Sequence, residues 1–161
     1  MLAAILLATT LWSDAPAAEP ADLSFLEGNW TIHSAGGDGL GHARIAIPLD
    51  GAMIEERRVI ADRDPQLLWM ARLEHQDGWT QLFLSPGGNR EFPRLSPQGQ
   101  WPMVFGGDVT LANGNEARFR LTVDRKSDDE HHRLLEMSSD EGSSWRPVLD
   151  YHYRRAAATD Q

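Results

Sequence analysis

The sequence predicts an all-β domain, an antiparallel up-and-down barrel of about 8–10 strands, with a two-sheet sandwich as the alternative. Three observations lead there. Past Glu19 the chain carries almost no helical periodicity. Short runs of alternating apolar and polar residues follow one another instead, each bounded by Gly, Pro, Asn or Asp. The links between these runs are mostly short, which favours neighbouring strands, and a long sheet curls because closure removes its exposed edges.

The elements follow in order. Residues 20–26 are expected to form one short helical turn, with Asp22 or Ser24 as cap. Residues 28–34 alternate, with Trp30, Ile32 and Ser34 on one face, and a glycine-rich loop spans 35–41. Residues 42–47 set Ala43, Ile45 and Ile47 against His42, Arg44 and Ala46. Leu49-Asp50-Gly51 turns the chain into a strand over 53–60. Strands at 67–75 and 79–85 flank Gln76-Asp77-Gly78, a hairpin signal, and 86–89 turn again. Residues 91–101 are an edge strand at best, because Pro93, Pro97 and Pro102 interrupt the stretch. Strands at 104–112 and 116–124 flank Asn113-Gly114, a strong hairpin turn, and the acidic stretch 124–130 is a solvated loop. The last pair, 131–139 and 145–154, flanks the segment SSDEGSSW. With 161 residues there is room for one domain, expected over 19–155, followed by a disordered tail at 156–161. No repeat of propeller-blade length is present.

Composition excludes several functions. The formal charge of −9 disfavours non-specific contact with nucleic acid or an anionic membrane. The absence of cysteine rules out disulfides, thiolate metal sites and a cysteine nucleophile. Residues 2–12 form an uncharged apolar run, shorter than the roughly 20 residues of a membrane span. Ala15-Pro16-Ala17 then offers small residues for cleavage, so 1–18 are read as a signal peptide and the protein as exported, periplasmic or secreted, with no membrane anchor after cleavage. No Lys or Arg precedes the run, so either the amino terminus supplies the only positive charge or the start lies upstream.

SSDEGSSW resembles the Asp-box turn of sialidase β-propellers, but it occurs once, in a chain too short for that scaffold. Its residues have structural work to do. Asp140 can accept backbone N–H bonds, Gly142 permits a turn conformation, and Trp145 can cover the next strand. FLEGNWTI (25–32) places Gly28-x-Trp30 at the start of the first strand, and IPLDGAMIEE, HQDGWTQLF, ARFRLTV, MSSDEGSSW and LDYHYRR follow in order. Together these resemble a family of small exported bacterial proteins of unknown function with a lipocalin-like β-barrel. The family usually has Gly-Gly in the last turn, where this chain has Glu141-Gly142, and often more acidic residues beside the first strand. The resemblance implies a fold, and it implies that a late arginine, Arg154 or Arg155, packs over Trp30. It brings no reaction or substrate with it.

Candidate ligand-binding residues come from the polar strand faces. Glu55 shares one face with Arg57, and Glu56 shares the other with Arg58. Arg72 and Glu74 lie on one face of their strand, and Arg118 and Arg120 on one face of theirs. If Glu55, Arg57, Arg72, Arg118 and Arg120 face inward, they line a cavity suited to a small anionic or amphipathic ligand. If they face out, they form a solvated surface, the commoner arrangement in antiparallel sheets. The histidines lack metal-ligand spacing, and His131-His132 point to opposite faces, so neither a metal site nor a cofactor is expected. The 36–41 loop precedes a strand, not a helix, and is no phosphate cradle; it would lie over the open end as a lid. The leading expectation is a non-enzymatic barrel that binds a small molecule. An enzyme using a lumenal Glu/Arg pair, or a periplasmic interaction protein acting through its loops or the 93–102 edge, stand as alternatives. Oligomeric state is open.

Overall fold

In a computed structural model of the protein, residues 23–72, 78–85, 88–111 and 113–157 are described. The signal-peptide segment, most of the Gln76-Asp77-Gly78 turn and residues 158–161 lie outside them. The architecture is one antiparallel up-and-down sheet of ten strands, nearly closed into a barrel. In chain order these are β1 (Gly28–His33), β2 (Gly39–Ala46), β3 (Met53–Ile60), β4 (Gln66–Arg72), β5 (Trp79–Ser85), β6 (Gly88–Pro93), β7 (Met103–Thr110), β8 (Glu116–Arg125), β9 (Glu130–Ser138) and β10 (Arg146–Arg155). Each pairs with its sequence neighbour, except that β6 and β7 end the sheet while β1 pairs with β10. The seam between β6 and β7 is bridged where Arg94 pairs with Phe105, and the Leu95 N–H donates to the Val104 carbonyl. A single continuous sheet sets the sandwich alternative aside.

Alternation drives the closure. On β8, Ala117, Phe119, Leu121 and Val123 are buried, and the residues between them face outward. Ile32, Ile45, Ile54, Met70 and Phe105 join them in one core. The prolines act as expected, since β6 stops at Pro93 and no strand crosses 95–102. Asn113-Gly114 makes its hairpin turn, with the Leu111 N–H bonded to the Asn115 carbonyl.

Three local details refine these expectations. Of the helical turn expected at 20–26, residues 20–22, with Asp22, lie outside the described residues; Ser24–Leu26 form a 3-10 turn with Leu23 at its N-cap position and no side-chain cap there. Its buried Leu23, Phe25 and Leu26 plug one end of the barrel, so packing rather than capping holds it. The glycine-rich segment is not a lid: Gly39–Ala46 is strand, and only 34–38 turn. Gly41 is the reason, because a Cβ there would stand 2.0 Å from the Val59 carbonyl oxygen, and its absence lets β2 and β3 pair closely. At the other terminus the Ala156 N–H bonds the Asn29 carbonyl, continuing the β1–β10 pairing by one residue.

Candidate functional site

The buried end is organised around Trp30 and Arg155. Trp30 is fully buried, and its indole N–H donates to the Leu26 carbonyl at 2.8 Å, tying the plug to β1. The Arg155 guanidinium lies 4.4 Å from the Trp30 ring centroid. It also donates to the carbonyls of Phe25 (2.6 Å), Glu27 (2.9 Å) and Asp128 (2.7 Å), and pairs with the Asp129 carboxylate at 2.8 Å. Gly28 leaves room for it, since a Cβ there would stand 2.8 Å from Arg155 Nη1. Arg154 is exposed and takes no part beyond its carbonyl, which accepts from Thr31.

The β9–β10 turn is built by Asp140. Its carboxylate accepts from the Ser144 backbone N–H (2.8 Å), the Ser144 hydroxyl (2.6 Å) and the Ser138 hydroxyl (2.7 Å). Gly142 occupies φ +95°, and its carbonyl accepts the Trp145 indole N–H at 3.1 Å. Every one of these groups serves the turn.

The polar faces separate cleanly into outside and inside. Glu55 and Arg57 pair at 2.8 Å on the outer face, where Arg57 is 71% exposed. The Arg57 hydrogen bond outweighs the opposing effect of burial and, with the Trp69 indole, holds the Glu55 carboxyl below its usual range. Arg118 pairs with Asp108 at 2.8 Å, and Arg120 pairs with Glu136 at 2.8 Å and lies 4.2 Å over the Trp145 ring. Arg72 ends β4 opposite Trp79, and its side chain is outside the described residues. Glu55, Arg57, Arg118 and Arg120 therefore do not line the lumen. On β3 the inward positions are Ile54, Glu56, Arg58 and Ile60, and on β8 they are Ala117, Phe119, Leu121 and Val123, which leaves these four side chains on the outer face.

The lumen holds the other set. Glu56 and Arg133 form an ion pair with both side chains only 3% exposed. The Tyr153 hydroxyl donates to Glu56 at 2.7 Å and accepts from Arg58 at 3.2 Å, and Arg58 also donates to Gln66. Burial alone would lower the Arg58 pKa, but Tyr153, Glu56 and Tyr151 together raise it. Burial pushes the Tyr153 phenol well above its ordinary value, with Glu56 adding to the effect, so it remains a neutral donor. Arg133 keeps its Nε and Nη2 buried with no hydrogen-bond partner among the described residues.

Above this network the barrel opens. A cleft of about 870 Å³ runs between the β3–β4 turn, β5–β6 and β9–β10. Leu68, Phe83, Leu135, Val148 and Leu149 form its apolar wall, and Arg58, Arg63 and Arg90 outnumber Asp62 and Asp64 around it. A small crevice of about 10 Å³ beneath shares Arg58, Leu68, Phe83, Leu135 and Leu149 with the cleft and is lined by Arg133. Sequence reasoning missed Arg133, Arg63 and Arg90. Arg133 was hidden because β9 alternates two mixed faces, His131, Arg133 and Leu135 against His132, Leu134 and Glu136, so neither looks like the inside.

His131 completes the interior. It stacks on Tyr153 (4.3 Å between centroids) and meets Trp30 edge-on (4.5 Å), and neither ring nitrogen has a partner among the described residues. Burial, aided by Arg133, Arg155 and His132, holds its pKa well below the ordinary value. The folded protein therefore resists a proton that the unfolded chain accepts near its free value. Stability is fully present above about pH 6.5 and falls as pH drops below it, by at most about 1.4 kcal/mol per pH unit. Asp140 adds a second window. Ser144 and Ser138 lower its pKa to about 2, so its contribution holds above about pH 4 and disappears as pH falls through 2. Thermal melts from pH 8 to pH 2 should show both declines. His131→Phe should flatten the upper one alone and Asp140→Asn the lower one alone; an unchanged upper decline in His131→Phe would refute the assignment.

No protein-family model matches the chain, and no curated protein matches it significantly in sequence.

Proposed function

We propose that the protein is an exported barrel that binds a small anionic, amphipathic molecule at its open mouth. The observation that carries this reading is the cleft whose apolar wall descends toward buried Arg133, two of whose N–H-bearing nitrogens have no acceptor among the described residues. An unpaired buried donor is costly, and a ligand carboxylate or sulfonate at the floor would satisfy it. The alkyl or ring portion would lie against Leu68, Phe83, Leu135 and Leu149. Gly28-x-Trp30, the Asp140 turn and Tyr153-Arg154-Arg155 support a place in the family of small exported proteins with lipocalin-like barrels. The apolar run at 2–12 with Ala15-Pro16-Ala17 supports export. The enzyme alternative receives less support, because Glu56 is held by both Arg133 and Tyr153 and has no role left as a free base.

Native mass spectrometry of protein purified from its host tests both halves. The mature chain should begin near Ala18 or Glu19 and carry a small acidic adduct. Added dodecanoate should bind one to one, and Leu149→Asp, which places a like charge on the cleft wall, should weaken it at least about tenfold. A wild-type protein that binds neither an adduct nor dodecanoate would end this reading.

A further inference from the structure

We propose that the outer wall of the barrel carries a divalent transition-metal site formed by His132, Asp150 and His152, with zinc as the ion it fits. The site is separate from the cleft and faces the opposite side of the sheet. His132 on β9 and His152 on β10 are direct cross-strand partners. Their rings stack with centroids 4.4 Å apart at 21°. Asp150 lies two residues before His152, hence on the same face.

The three side chains converge on one point. Asp150 Oδ1 is 2.7 Å from His132 Nε2 and 3.5 Å from His152 Nε2, and all three ligand atoms lie within 4.8 Å of one another. Tetrahedral zinc with bonds of about 2.0–2.1 Å sets its ligands roughly 3.4 Å apart. The two separations from Asp150, 2.7 and 3.5 Å, bracket that spacing, and modest side-chain rotation brings the trio to it. Two imidazole nitrogens and one carboxylate oxygen are also the donor types that zinc shares with copper and nickel.

A simple hydrogen-bonded triad explains the geometry less fully. Both imidazoles address the same carboxylate oxygen, and neither ring makes another hydrogen bond among the described residues. A metal would use both nitrogen lone pairs at once. All three side chains are half-buried, at 19%, 38% and 30% exposed, so water can complete the coordination shell. Among the described residues no acceptor holds either Nδ1, so the affinity should be micromolar rather than that of a closed structural site. His33 continues the row, opposite His152 on β1, but its Nε2 is bonded to Thr31 at 3.0 Å and it stands outside the trio.

The test is zinc titration of the untagged full chain by isothermal calorimetry, alongside His152→Gln, Asp150→Asn and His33→Gln. Wild type and His33→Gln should bind one zinc with micromolar affinity and gain thermal stability from it. His152→Gln and Asp150→Asn should each lose at least about tenfold in affinity while keeping the wild-type melting profile without metal. Failure of the wild type to bind zinc would overturn the proposal. Equal binding by wild type and His152→Gln would overturn it too, because the ion would then sit elsewhere. Neither result bears on the cleft.

Discussion

Glu56→Gln should destabilise the protein by about 3–5 kcal/mol, the cost of removing one partner from a buried ion pair. Glu56 is the only buried carboxylate among the described residues; the buried Arg133 pairs with it directly, and the buried Arg58 reaches it through the Tyr153 hydroxyl. Arginine cannot shed its proton to escape, so the substitution leaves uncompensated charge in the core. Glutamine keeps the shape and can still accept from Tyr153, which isolates charge as the variable. For a domain of this size the loss corresponds to a melting temperature lower by on the order of 10 °C. Glu55→Gln is the internal control. It lies one residue away with its own arginine partner, but on the outer face, where such pairs contribute about 0–1 kcal/mol. Urea melts of the two variants read the difference directly. Equal losses would mean that the inward face of β3 has been misassigned.

The same strand shows how far the sequence reaches. Strand positions and hairpin turns were legible because alternation and turn residues are local signals: Asn113-Gly114 marks its turn, and Ala117 to Val123 declares its apolar face. On β3 each face carries one acid, one base and two apolar residues, so the pattern is symmetric and cannot say which side is in. What breaks the symmetry lies far along the chain. Glu56 is inside because Arg133 and Tyr153 stand across the lumen, a pairing over 77 and 97 residues. Glu55 and Arg57 were candidates on the contrary register, and a shift of one residue reverses both assignments, whereas the outward placement of Arg118 and Arg120 follows from the apolar face opposite them. The His132–His152 pair was hidden for a related reason. Metal spacing sought along one strand cannot detect ligands brought together across two. The late arginine over Trp30 was open between Arg154 and Arg155, because neighbouring residues on a strand differ only in face. The register decides it: Trp30 pairs directly with Arg155.

Trp30→Ala should cost about 3–5 kcal/mol, the range for removing a large aromatic from a core that cannot collapse around the gap. Its ring is the common surface for three otherwise separate parts: the 3-10 plug through Leu26, the end of β10 through Arg155, and the interior through His131. Trp30→Phe keeps most of the packing and loses the bond to the Leu26 carbonyl, so about 1–2 kcal/mol is expected. The arginine side of the contact can be separated from it. Arg155 donates to three carbonyls and one carboxylate from a fixed planar fork, a set that lysine's single ammonium cannot reproduce. Arg155→Lys should therefore resemble Arg155→Ala and release the plug, whereas Arg154→Ala, an exposed change, should stay within about 0.5 kcal/mol of wild type. Hydrogen exchange at Leu26 and Glu27 would report plug release even where global stability moves little. If Arg154→Ala loosened that segment as much as Arg155→Ala, the clasp would not be the device that closes this end of the barrel.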